Sequence, residues 1–165
     1  MVKKILAYIF IFFLMMTTAS FEARRSSHLQ KRSFYRAKFT TSLRFHEKRG
    51  GHTIARHVAK SKKYLLSRFS KKHHLRKVSS FFSLAVAQKV VDGAIRQNIR
   101  KFNSWLSGKF RRKKLILRYR NKGRNRKDIG KVFFRNGREY VTKKAKVVLV
   151  KNHKMKFLIL TAYPE

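Results

Sequence analysis

The hydrophobic period of the chain changes at Gly108, and this change restricts the fold more than any other feature. Upstream, Ser83 is placed to cap a helix, and Leu84, Ala87, Val91, Ala94, Ile95, Phe102 and Leu106 recur every three or four residues. Gly93 weakens such a helix by about 1 kcal/mol relative to Ala and predicts a bend, and Gly108 predicts the stop. Downstream the pattern is that of strands, predicted over 115–119, 131–135, 138–142, 146–150 and 155–163. Asn136-Gly137 is a hairpin signal, and Asn152-His153 reads as a turn. Two shorter helices come first. One spans 53–60 with Ile54 and Val58 on one face. The other is capped by Ser61, with Tyr64, Leu65, Arg68 and Phe69 at helical spacing. Residues 71–77 form a basic connector containing His73 and His74. Helices followed by an antiparallel meander predict an α+β domain in which N-terminal helices pack on an antiparallel sheet.

The chain must build its core without cross-links, because it has no cysteine. With 43% hydrophobic residues, fifteen of them Phe, it has enough apolar material for one small core. A disulfide framework and a Cys-based metal site are excluded. Forty-four Lys and Arg against six acids give a net charge of +38. That charge bears on partners rather than on fold. It suits a polyanion, with nucleic acid, RNA or DNA, first. An anionic membrane, touched transiently, is the main competitor. An acidic protein is a third possibility.

The N-terminus has the pattern of a secretory signal peptide over 1–19. Lys3 and Lys4 precede the apolar run Ile5–Met16, and Thr17 and Ala19 are small residues at a cleavage spacing; Ala23 is a second candidate site. The run is short for a membrane span, which needs about 20 residues. Residues 20–45 carry scattered aromatics, seven basic residues and one acid, with no clean period. They read as a flexible basic arm. The folded domain is expected over 46–165.

Two stretches could carry chemistry. The first is Gly50-Gly51-His52-Thr53-Ile54-Ala55-Arg56-His57-Val58. The second is Leu160-Thr161-Ala162-Tyr163-Pro164-Glu165. RNA can be cut without a metal because its own 2′-hydroxyl is the nucleophile. The protein must then supply a base titrating near neutrality, for which histidine is suited, and cations for the phosphorane. His52 and His57 lie about 140° apart on an ideal helix, so one is expected to be catalytic and the other structural, unless His52 sits in the turn before the helix. Arg68, on the next helix, can return to His57 across a helical hairpin. Period-2 alternation places Met155, Phe157, Ile159, Thr161 and Tyr163 on one face of the last strand. Arg56, Lys60, Arg111 and Arg112 are candidate phosphate contacts. Other chemistries find little support. His46-Glu47 opens like a zincin helix, but no His follows at the required spacing, and Gly50-Gly51 would break the helix. The six acids are scattered and offer no paired carboxylates, so no metal or other cofactor is expected.

At these residues the chain resembles a known family. GGHTIARHVAKS (50–61), Ser79-Ser80-Phe81-Phe82 and the closing LTAYPE (160–165) are similar to segments of the bacterial RNase A-like toxin domain. That domain is found at the C-termini of contact-dependent inhibition and other polymorphic toxins. The resemblance implies an RNase A-like fold without disulfides. It also implies metal-independent cleavage of RNA through a 2′,3′-cyclic phosphate. The functional set it implies is His57, Arg68, Thr161 and Tyr163, with His52 as a rival histidine. An acidic immunity protein is the implied partner of a monomeric toxin. The chain departs from its relatives in carrying its own apparent signal peptide and in the lysines Lys62 and Lys63, where relatives tend to be acidic. A secreted ribonuclease toxin acting in a target cell is therefore expected. The alternative is a non-catalytic cationic antimicrobial or nucleic-acid-binding protein.

Overall fold

The computed structural model describes residues 41–108, 113–122 and 127–165. The expected signal peptide, most of the expected arm, and Arg111 and Arg112 lie outside these residues. Among the described residues there are five helices: α1 (Leu43–Glu47), α2 (Thr53–His57), α3 (Lys62–Lys71), α4 (Leu84–Gln97) and α5 (Ile99–Leu106). The strands are β1 (Lys77–Phe81), β2 (Lys114–Arg120), β3 (Gly130–Phe134), β4 (Glu139–Thr142), β5 (Lys144–Asn152) and β6 (Lys156–Pro164). The class is α+β, as expected. No helix among the described residues is long and apolar enough to cross a membrane.

The strands do not form one meander. They make two three-stranded antiparallel sheets, ordered β1-β3-β4 and β2-β5-β6. The difference arises from β1, a strand the sequence pattern hides because two serines interrupt its apolar residues. Val78 pairs with Phe133, and both pack against Leu65 and Phe69 of α3. β3 is thereby committed to β1, and β2 pairs instead along β5, Leu117 facing Val147.

Helix boundaries follow local chemistry. The long helix is interrupted at Asn98, not bent at Gly93. The Asn98 amide donates to the carbonyls of Ala94 and Arg118, at 2.8 and 2.9 Å. Gly93 stays inside α4, where the ring of Tyr119 occupies the space a Cβ would need. α2 ends at His57 because Val58 is extended and bridges Phe81, and Ala59 takes a left-handed φ of 51°. Its buried residues are Thr53 and His57 rather than an Ile54–Val58 face: Ile54 is half-buried, and Val58 is buried as the extended residue that follows the helix.

The boundary expected at His46 falls inside α1. Thr41 Oγ1 donates to Asp92 at 2.6 Å, and Gln88 bonds both the Thr41 carbonyl and the Leu43 amide at 2.9 Å. These long-range hydrogen bonds tie residues 41–43 to α4, and Leu43 is buried. No local period announces them.

A bulge in β6 decides the orientation of the candidate site. Leu149 pairs with Ile159, but Val148 pairs with Thr161, so Leu160 is an extra residue. Successive residues of β5 point to opposite faces, and so must their partners. Thr161 and Tyr163 therefore share a face with each other but not with Phe157 and Ile159. The single face expected from strict alternation is corrected by this one inserted residue.

Candidate active site

β6 is an edge strand, and its outer edge is where α2 docks. The His52 amide donates to the Leu160 carbonyl at 2.9 Å, and Thr53 Oγ1 accepts from the Ala162 amide at 2.9 Å. Gly51 makes this approach possible. A Cβ there would stand 2.7 Å from the Ile159 carbonyl oxygen and 2.9 Å from that of His46. Glu47 completes the mounting. Its two carboxylate oxygens accept from the Ile54 and Ala55 amides at 2.9 and 2.8 Å, covering otherwise unpaired donors at the start of α2. Sequence reasoning considered Glu47 only as a failed metal-site glutamate. The sole signal for its role was an isolated acid shortly before a glycine pair and a helix.

His57 closes α2 with 9% of its surface exposed. Its Nδ1 lies 2.9 Å from the Ser79 carbonyl oxygen. A carbonyl only accepts, so Nδ1 carries the proton and the neutral ring presents its lone pair on Nε2. Burial lowers the imidazole pKa to about 4; the Ser79 hydrogen bond opposes this, and the charges of Arg68, His52 and Arg56 add to it. The ring stands 5.5 Å from that of Tyr163, tilted by 36°.

His52 precedes α2 with extended φ of −146°, so the helical angle between the two histidines does not apply. Burial lowers its pKa too, with Arg56 adding and Glu47 opposing. Arg68 reaches back across the α2–α3 hairpin, its guanidinium donating to the Arg56 carbonyl at 3.3 Å. Its charge bears on both imidazoles. Arg56, Tyr64, Arg68, Lys71 and Lys72 line an open cleft of ≈ 160 Å³. Lys71 and Lys72 were not singled out from sequence. On β6, the Thr161 hydroxyl oxygen is buried without a hydrogen-bond partner. Such an atom costs free energy unless something else satisfies it.

The structure thus gathers His57, His52, Arg68, Arg56 and Tyr163, and leaves the buried hydroxyl of Thr161 unsatisfied on Tyr163's face. Lys60 lines a different cavity, with its ammonium over the Tyr64 ring at 5.4 Å. His73 and His74 are exposed on the connector. A neutral base, a clustered set of cations, a phenol and an unsatisfied hydroxyl can together take a proton from a hydroxyl and hold an anionic phosphate beside it.

No curated protein matches the chain. The solved structure described as "Crystal structure of CdiA-CT/CdiI complex from Y. kristensenii 33638" is similar, with a TM-score of 0.60 and 29% identity, covering 70% of this chain and 99% of that one. The family model described as "Bacterial CdiA-CT RNAse A domain" matches residues 51–164. That match runs from the glycine that lets α2 approach β6 to the last residue of β6, and the chain belongs to this family of bacterial RNase A-like toxin domains.

Proposed function

We propose that the protein is a secreted, metal-independent endoribonuclease toxin that cleaves RNA by attack of the 2′-oxygen on the adjacent phosphorus. The observation that carries this reading is the His57–Ser79 hydrogen bond, which leaves Nε2 of a neutral imidazole as a proton acceptor. His57 removes the 2′-hydroxyl proton. The new O–P bond forms as the P–O5′ bond breaks, the 5′-oxygen takes a proton from solvent or from the Tyr163 phenol, which solvent then reprotonates, and a 2′,3′-cyclic phosphate remains. Arg68 opposes the negative charge gathering on the phosphorane, with Arg56 beside it. Thr161 donates its unpaired hydroxyl to a phosphate oxygen, and Tyr163 orients the phosphate or assists the leaving group.

A protein of net charge +38 binds RNA strongly, and an acidic immunity protein suits it equally. The similar solved structure is itself a two-component complex. Export would use residues 1–19, and action would fall in a target cell, the toxin working as a monomer. The test is cleavage of a mixed-sequence RNA in EDTA by the wild type, His57→Ala and His52→Ala. The expected result is cleavage that His57→Ala abolishes. RNA shifted but uncut by all three proteins would replace the ribonuclease with a cationic binder.

A further inference from the structure

Apart from the cleft at Arg68, the described residues contain a second cavity, of ≈ 290 Å³. Its lining combines aromatic walls with a cationic rim. Phe81, Phe82 and Phe133 supply the walls, and Lys60, Lys62 and Lys131 the cations. Phe81 and Phe133 are buried, whereas Phe82 is 45% exposed. Glu139 is the one carboxylate in the lining, and Lys62 holds it at 3.0 Å.

The position of this cavity follows from the pairing of two chain segments. His57 bonds to Ser79. Two residues on, the Ala59 amide donates to the Phe81 carbonyl at 2.9 Å, and the Lys60 amide donates to Ser80 Oγ at 2.9 Å. The segment leaving the candidate base therefore runs directly into the cavity wall, through the extended Val58 and the left-handed Ala59.

We propose that this cavity is a nucleobase subsite, which takes a base of the bound single strand next to the nucleotide being cut. This location rests on the ribonuclease reading; the binding itself does not. A base offers a π-face to Phe82 and is covalently tied to a phosphate that the lysine rim attracts. Stacking on an aromatic side chain tolerates any base and strengthens single-strand binding by about tenfold or more per base. A lipid surface fits less well, because the apolar walls line a concavity.

The experiment measures binding of the full chain to a short single-stranded DNA oligomer and to an abasic oligomer with the same number of phosphates. DNA lacks the 2′-hydroxyl, so neither is cut and binding is read independently of catalysis. Phe82→Ala should weaken binding to the base-bearing oligomer about tenfold and leave the abasic one unchanged. Tyr140→Ala, which removes a similarly exposed aromatic outside the cavity, should change neither. Equal weakening of both oligomers by Phe82→Ala, or no weakening of either, would overturn the subsite. So would loss of binding to phosphatidylglycerol vesicles with oligomer affinity intact. A wild type that fails to cut RNA but shows the Phe82 dependence would remove the ribonuclease reading and leave the subsite standing.

Discussion

His46 and His57 lie eleven positions apart and are both buried, with 2% and 9% of their surfaces exposed. Each has Nδ1 hydrogen-bonded to backbone, with opposite polarity. His46 Nδ1 accepts from the Ile159 amide at 3.3 Å, so its neutral ring keeps the proton on Nε2. His57 Nδ1 donates to the Ser79 carbonyl, so its neutral ring keeps the lone pair on Nε2. His46 stacks on Phe157 at 5.5 Å, on the apolar face of β6. His57 stands by Tyr163, beyond the bulge that turns the strand over. One residue type becomes a core strut or a candidate base according to which backbone group it meets.

The largest expected effect separates the two by activity. His57→Ala should lower RNA cleavage per folded molecule by about 10²–10⁴-fold, as loss of a general base does. His46→Ala should leave it within about twofold. Equal losses in steady-state kinetics would erase the distinction.

Stability should show the reverse. His46→Ala opens a cavity under Phe157 and orphans the Ile159 amide, so urea unfolding should report a loss of about 2–4 kcal/mol. An unchanged midpoint would contradict the strut role.

pH sharpens the contrast. The folded pKa of His57, about 4, lies below the unfolded value near 6.5, so between them the unfolded chain binds more protons. The contribution to stability is complete above about pH 6.5 and is lost as pH falls towards 4, by about 3 kcal/mol at the limit. Urea midpoints for wild type and His57→Ala should converge on acidification. In kcat/KM, the acid limb should lie near pH 4 rather than 6.5, and binding of a phosphate analogue should move the imidazole resonance to a higher pKa.

The smallest effect has the most informative sign. Thr161→Val removes a buried hydroxyl without a protein partner and replaces it with a methyl of similar size. Stability should stay level or rise by up to about 1 kcal/mol, while cleavage falls about tenfold. Loss of both together would make Thr161 a structural residue.

Much of the fold was legible from pattern. The helix from Ser83, the turn at Asn136-Gly137 and the strands around Val147 and Val132 follow directly from periodicity and turn chemistry. His57 and Tyr163, one from each motif, stand with their rings 5.5 Å apart. The helical angle between His52 and His57 misled because His52 lies outside α2. β1 was missed because Ser79 and Ser80 are buried by pairing with β3 rather than by their own hydrophobicity. Glu47 was missed because its partners, the Ile54 and Ala55 amides, become donors without partners only once α2 has formed.

The sequence by itself determined the α+β class, the cysteine-free core and the dominance of positive charge, since these depend on composition and on local period. It also determined which residues were available for chemistry. Only the tertiary structure decided the split into two sheets, the anchoring of residues 41–43, the tautomers of the two buried histidines and the face on which Thr161 and Tyr163 stand. Each of these depends on a hydrogen bond or a register set between segments far apart in the chain, and a bulge of one residue is enough to reverse a face that local alternation would assign otherwise.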